Sequence, residues 1–143
     1  MRIAAGVVIV LLSLLAWGGQ AISWLAPGTA ARLSLRERDE TVDPAFAADA
    51  RGEALWDALT LWTMCVAGVL LIVDAPGWPH LGLIGGGMYL YFAGRGICTR
   101  ALMQRRGLRI GSPTDVAAAR LLLSVWGVMA LAVIVAAIVE LRG

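Results

Sequence analysis

Four long apolar runs contain no charged residue and no histidine, and they constrain the fold of this chain more than any other feature. The runs are Ile3–Trp24, Ala58–Val73, Leu81–Gly94 and Leu121–Val139. About 20 helical residues cross a hydrocarbon layer of about 30 Å, and each run reaches that length alone or with its flanks. Because a bilayer core offers no water to backbone N–H and C=O groups, the runs are predicted to be helices.

We therefore predict an all-α integral membrane protein whose four transmembrane helices form an antiparallel bundle. Its charged content of 15% is below the average of about 25% for soluble domains. A single domain covers residues 1–143. The predicted transmembrane spans are 3–25, 54–74, 80–101 and 116–139. The predicted cytoplasmic loops are 27–53 and 102–115.

The basic residues, which are all arginines, predict the orientation in the membrane. Ten of the 12 fall in or beside the two longer loops: Arg32, Arg36, Arg38, Arg51, Arg95, Arg100, Arg105, Arg106, Arg109 and Arg120. Only Arg2 and Arg142 lie on the opposite side. Since positive residues stay in the cytoplasm, both longer loops are predicted to be cytoplasmic and both termini outside, in a bacterial inner membrane.

The first run also resembles a secretory signal, because Arg2 precedes an apolar stretch and Gly19-Gln20-Ala21 resembles a cleavage site. Cleavage there would send the arginines of the first loop outward, against the charge rule. The first run is therefore predicted to be an uncleaved helix.

Local signals predict that the later helices extend into the cytoplasm. Asp43-Pro44 is typical of a helix start, and Ser112 with Asp115 has the spacing of a capping box. Gly107 predicts the end of the third transmembrane helix, and Gly52 is a weak point in the second. The alternating charges before Val42 predict a solvated, partly ordered loop. The alternative is a short amphipathic helix on the headgroups, anchored by Leu33 and Leu35.

Small residues in the third run predict a packing surface. Gly82 and Gly86 share a face, and Ala93 extends it by one heptad. This face serves either ordinary packing within the chain or an oligomer contact, a cofactor or a lipid groove. Three tryptophans lie deeper in the runs: Trp17, Trp62 and Trp126. Because a buried N–H needs an acceptor, they are the better candidates among the tryptophans for contact with a ligand or partner, with ordinary packing as the default interpretation.

One group of residues is chemically suggestive, and it lies at the predicted cytoplasmic edge. Its members are Glu53, Asp57, Tyr91, Arg95, Arg100 and Arg120. Ionisable groups at that depth pair or face a cavity. An ion pair of Asp57 with Arg95 or Arg120 is one interpretation, a pocket for an anionic headgroup is a second, and arginines reaching out to water are a third.

The segment Tyr91-Phe92-Ala93-Gly94-Arg95, with its basic loop after it, resembles the third helix of the MAPEG family. Members of that family are small four-helix membrane proteins that depend on glutathione. The resemblance implies a ligand site at Arg95. The positions where the family usually has His and Tyr hold Cys98 and Leu102 here.

Several classes of function are excluded or disfavoured. No span carries a mid-membrane carboxylate for ion coupling, His80 is the only histidine, and no ligand cluster for a metal is apparent. Cys65 and Cys98 form no CxxC pair, and nucleic acid is not an expected partner. We predict a non-catalytic structural or accessory protein, homo-oligomeric or part of a larger membrane complex and in contact with lipids. The alternative is a binding protein or enzyme for an amphiphilic anionic ligand, with glutathione only under the MAPEG resemblance.

Overall fold

The computed structural model describes all 143 residues, which form helices and no strand. The elements are α1 (Arg2–Leu25), α2 (Pro27–Arg32), α3 (Pro44–Thr60), α4 (Trp62–Ile72), α5 (Trp78–Arg105) and α6 (Pro113–Arg142). A short 3₁₀ turn, Asp39–Thr41, lies between α2 and α3. The prediction of an all-α protein is confirmed.

Three helical stretches are long and apolar enough to cross a membrane. They are α1, the 29 residues of α3 and α4 taken together, and α6. Helix α5 has 28 residues, but its glycines contribute little hydropathy and Arg95 interrupts its apolar stretch. The fourth span therefore stays a prediction.

The packing order of the helices leaves one junction open. Helix α5 packs along α6 and α4, and α4 packs along α1, whereas α1 and α6 meet only sparsely. The core between these helices contains Leu61, Met64, Tyr89 and Trp126. At one end, the Arg2 side chain bonds to Asp74 and Glu140 and closes the α1–α6 junction. The other end, which we call the arginine-rich end, contains the two longer loops.

The second apolar run is interrupted at Leu61 and not at the predicted weak point. Gly52 is an ordinary helical residue within α3. The Met64 N–H bonds to the Leu61 carbonyl at 3.3 Å, three residues back. The Thr63 hydroxyl donates to the Thr60 carbonyl at 2.8 Å. Side-chain hydroxyls compete with the backbone for carbonyls in this way, and the helix tightens locally as a result.

The first loop is more ordered than the charge pattern predicts. Val42 is buried with Phe46, Ile110 and Val116 in a second small core. The Asp43 N–H donates to the Arg109 carbonyl at 2.7 Å, so the two longer loops are joined. A few buried apolar residues among the charges are enough to fix this segment, and the prediction of a partly ordered loop did not identify them.

The predicted helix ends are confirmed. The Asp43 side chain accepts from the Ala45 N–H at 2.9 Å, and Ser112 with Asp115 forms a complete capping box. Gly107, which follows the C-cap residue Arg106 of α5, has a φ of +75°. This left-handed conformation ends a helix, and glycine adopts it without a Cβ clash.

Replacing Ser112 with alanine is expected to lower the free energy of unfolding by about 1 kcal/mol, because the first turn of α6 loses its cap. Unfolding by SDS in mixed micelles would measure the change. Ser124→Ala is the control, since the Ser124 hydroxyl bonds only to the Arg120 carbonyl within the same helix and should change stability by less than about 0.5 kcal/mol. Equal losses in both variants would contradict the capping role.

Candidate ligand-binding site

Arg95, on α5, holds two carboxylates of α3. Its Nη2 donates to Asp49 Oδ1 at 2.5 Å, and its Nη1 lies 2.7 Å from Glu53 Oε1. The second contact has the distance of an ion pair but not the angle of a hydrogen bond. Residues four apart lie on one helix face, so a single guanidinium spans a turn of α3.

The predicted ion pairs of Asp57 are wrong. Neither Arg95 nor Arg120 pairs with it. Its side chain is buried, and Oδ2 has no hydrogen-bond partner. The Arg95 side chain instead bonds to Glu53 and Asp49, one and two turns earlier in α3, because long basic side chains extend towards the nearer polar boundary.

The other two arginines of the predicted group lie in separate environments. Arg120 is exposed and donates to Gln104 Oε1 at 3.0 Å. Arg100 is half-buried, and its guanidinium carbon lies 5.5 Å from the centre of the Phe46 ring. No carboxylate pairs with Arg100. Its Nη1 makes one long bond of 3.4 Å to the Gly96 carbonyl, and its Nε is buried without a partner.

The remaining predicted residues take no part in these ion pairs and hydrogen bonds. Tyr91 is exposed. A Cβ on Gly82 would lie 3.3 Å from Val133 Cγ1 of α6, and one on Gly86 would lie 2.5 Å from Ile134 Cγ1. Ala93 lies against Gly127 of α6. The predicted small-residue face therefore contacts α6 within the chain.

A cavity of about 570 Å³ opens in the sparse junction between α1 and α6, at the arginine-rich end. Its inner part is apolar and contains Leu15, Ala16, Phe92, Leu122, Leu123 and Trp126. Its rim is charged and contains Arg36, Glu37, Arg38, Glu53, Arg100 and Asp115. Ligand sites of roughly 300–1,000 Å³ with an apolar lining and a few polar groups are typical of small-molecule binding.

Small residues keep this junction open. Gly19 on α1 and Ala118 and Ala119 on α6 line the cavity. A Cβ on Gly19 would meet nothing within 4 Å, so this position faces open space. The Trp126 N–H donates to the Leu12 carbonyl at 2.9 Å and holds α1 and α6 together at the inner end of the cavity.

The deep tryptophans have acceptors within the chain, so no ligand is needed to satisfy them. The N–H groups of Trp17, Trp62 and Trp126 donate to the carbonyls of Ala58, Leu59 and Leu12, each at 2.9 Å. Packing within the chain, the default interpretation, accounts for all three N–H groups, and contact with a ligand or partner stays a prediction; the Trp126 ring does line the cavity.

Sequence reasoning missed most of the cavity. Arg36, Glu37 and Arg38 were expected in solvent, but the first loop folds over the cavity and places them on its rim. One signal could have identified the site: Ala16 and Gly19 near the end of the first run and Ala118 and Ala119 before the fourth lie at similar depths. Small residues on two helices at one depth indicate either close contact or a gap.

The site offers no metal centre, since no group of three or more His, Cys, Asp and Glu side chains is placed to hold an ion. Arg95, the residue that carries the MAPEG resemblance, is engaged by Asp49 and Glu53 and does not line the cavity. In three comparisons, no family model, curated protein or solved structure matched the chain significantly. What the arrangement can do is hold an amphiphile, with its apolar part near Trp126 and its polar part near Arg100.

Proposed function

We propose that this chain is a small, four-span protein of the bacterial inner membrane that binds an amphiphilic ligand with an anionic group, namely a membrane lipid. In this proposal α5 is the fourth span and the spans run antiparallel. The arginines place the two longer loops in the cytoplasm and both termini outside. No chemical step is required of the protein, so a non-catalytic role is the simpler proposal.

The observation that carries this proposal is the continuity of the cavity from an apolar interior to an unpaired guanidinium. Phe92 and Trp126 form the inner wall, and Arg100 lies at the rim without a carboxylate partner. Buried arginines normally pair with an anion. A lipid would supply that anion and would fill the apolar part with its chain, entering sideways between α1 and α6.

Replacing Gly19 with leucine is expected to reduce lipid retention by at least about tenfold, equivalent to 1.4 kcal/mol. The new side chain would project into the cavity, and its Cβ would meet nothing within 4 Å. Native mass spectrometry of the protein released from detergent micelles would count bound lipids. The wild-type protein should retain phospholipid.

Gly18→Leu is the matched control, because Gly18 also faces open space but does not line the cavity. It should retain lipid like the wild type, and both variants should unfold at the wild-type temperature or above it, since leucine favours helix over glycine. Equal retention in all three proteins would overturn the proposal, as would a wild-type protein that retains no lipid.

A second candidate is the structural or accessory role, as a homo-oligomer or a subunit of a larger membrane complex. One helical surface carries three exposed apolar side chains at three-residue spacing, those of Trp56, Leu59 and Trp62. Tryptophan is enriched at protein interfaces. A Trp56→Ala, Trp62→Ala double variant that dissociates an oligomer in native mass spectrometry would support this role, and a monomeric wild-type protein would exclude the homo-oligomer.

Glutathione is the ligand only under the MAPEG alternative. That alternative would use Arg95, which already holds two carboxylates of α3. The lipid proposal uses the unpaired Arg100 and is therefore preferred.

A further inference from the structure

The rim of the cavity carries as many positive as negative side chains, and this balance limits the kind of headgroup that can bind there. Its arginines are Arg36, Arg38 and Arg100, and its carboxylates are Glu37, Glu53 and Asp115. A rim evolved for a simple anion would be expected to exclude carboxylates, because like charges placed together at an interface are unfavourable.

Two of these six residues are fully engaged, and a third, Glu53, is partly engaged by Arg95. Arg36 bonds to Asp39 and to the Glu37 carbonyl, and the Asp115 carboxylate accepts from the backbone and hydroxyl of Ser112. The capping box holds Asp115 in place, so it is not free to bind a ligand. Arg36 and Asp115 therefore help to shape the rim, and their opposite charges add little net charge to it.

The remaining four residues keep unused capacity. Arg38 and Arg100 form no ion pair, and neither does Glu37. Glu53 is ion-paired with Arg95 through its buried Oε1, at 2.7 Å, so only its second oxygen, Oε2, keeps free acceptor capacity. The rim of one cavity therefore presents both unpaired guanidinium groups and carboxylate oxygens.

Resting on the proposed function, we infer that the bound lipid has a zwitterionic headgroup with a primary ammonium, as in a phosphoethanolamine lipid. The phosphate accepts from Arg100 and Arg38, since guanidinium and phosphate pair with two parallel hydrogen bonds. The ammonium, two carbons from the phosphate ester, donates to Glu37 and Glu53, since it carries three donors and no acceptor.

Two related headgroups fit this rim less well. Phosphoglycerol supplies the anion but no cation, so its neutral hydroxyls would leave the charges of Glu37 and Glu53 uncompensated. Phosphocholine supplies a cation without an N–H, so it offers the carboxylates no hydrogen bond. The ammonium is thus the feature that distinguishes the three lipids, and the acyl chain contributes equally to all of them.

The test exposes the full-length wild-type protein in detergent micelles to equal amounts of the three lipids with identical acyl chains. Native mass spectrometry then compares the bound species. The phosphoethanolamine lipid should be bound at least about fivefold more than either of the others. Glu37→Gln should abolish that preference, and Arg100→Gln should reduce binding of all three.

Glu40→Gln is the control, because Glu40 lies in the same loop but does not line the cavity; it should keep the wild-type preference. If phosphoglycerol lipid bound as strongly as phosphoethanolamine lipid or more strongly, and Gly19→Leu still prevented retention, this inference would be wrong. The proposed lipid site would then still be supported. Lipid binding that Gly19→Leu does not reduce would overturn the proposed function itself.

Discussion

Replacing Gly85 with alanine is expected to lower the free energy of unfolding by about 1–3 kcal/mol, the usual result of overpacking. A Cβ at this position would lie 2.8 Å from the Met64 nitrogen and 2.9 Å from its Cα. Both are backbone atoms, so no side-chain rotation can relieve the contact. Helices α4 and α5 would have to move apart. Unfolding by SDS in mixed micelles would measure the loss.

Gly87→Ala is the matched control on the same helix. Gly87 is exposed, and a Cβ there would meet nothing within 4 Å. Its replacement should leave stability unchanged or raise it by up to about 1 kcal/mol, since alanine is the better helix former. The two variants should therefore change stability in opposite directions or at least differ clearly. Equal values would contradict the close approach of α4 to α5.

The sequence predicted some glycines of close contact and missed others. Gly82 and Gly86 were singled out because their four-residue spacing is a known signal for packing. Gly6 and Gly68 also approach closely: a Cβ on Gly6 would lie 2.9 Å from the Gly68 carbonyl oxygen, which is a backbone atom. Each is an isolated glycine in an aliphatic run, and the sequence does not indicate that two such positions face each other.

Helix starts and stops were predictable, because their signals are local. Asp43 and Ser112 each bond to backbone groups within three residues, so neighbouring residues decide the outcome. The interruption at Leu61 also depends on nearby threonine hydroxyls, but Gly52 offered a stronger conventional signal. A helix continued through Gly52 because packing against α1 and α5 outweighs the weak preference of one glycine.

The candidate site depends on distant parts of the chain and was only partly predictable. The charge rule placed the arginines at one end, and Glu53 and Arg95 were predicted in one group that the structure does bring together. The cavity, however, exists because the first loop folds over the α1–α6 junction through Val42 and Ile110. Residues far apart in the chain create this contact, and their pattern along the sequence does not reveal it.

Replacing Arg95 with methionine is expected to lower the free energy of unfolding by about 2–3 kcal/mol, less than the 3–5 typical of breaking a fully buried pair. The Arg95 side chain is 26% exposed, so water screens part of the interaction. The loss follows because Glu53, only 9% exposed, and Asp49 would keep their charges without a cation. SDS-induced unfolding would measure it.

Two further variants separate the ion pair from the general removal of an arginine. Arg120→Met removes an exposed residue with one hydrogen bond to Gln104, so its loss should stay below about 0.5 kcal/mol. Glu53→Gln combined with Arg95→Met should be more stable than Arg95→Met alone, since the buried charge is removed with its partner. Equal losses for Arg95→Met and Arg120→Met would contradict the ion-pair role.

The same variant also distinguishes the two arginines that sequence reasoning treated as one group. Arg95 does not line the cavity, whereas Arg100 does. The folded fraction of Arg95→Met should therefore retain phospholipid. If Glu53 moves once it is unpaired, phosphoethanolamine lipid should bind less strongly than to the wild type. Arg100→Gln should lose lipid while unfolding close to the wild-type midpoint, because it breaks no ion pair. If both variants lost both stability and lipid, the two arginines would belong to one coupled cluster. The assignment of Arg95 to stability and of Arg100 to ligand binding would then be wrong.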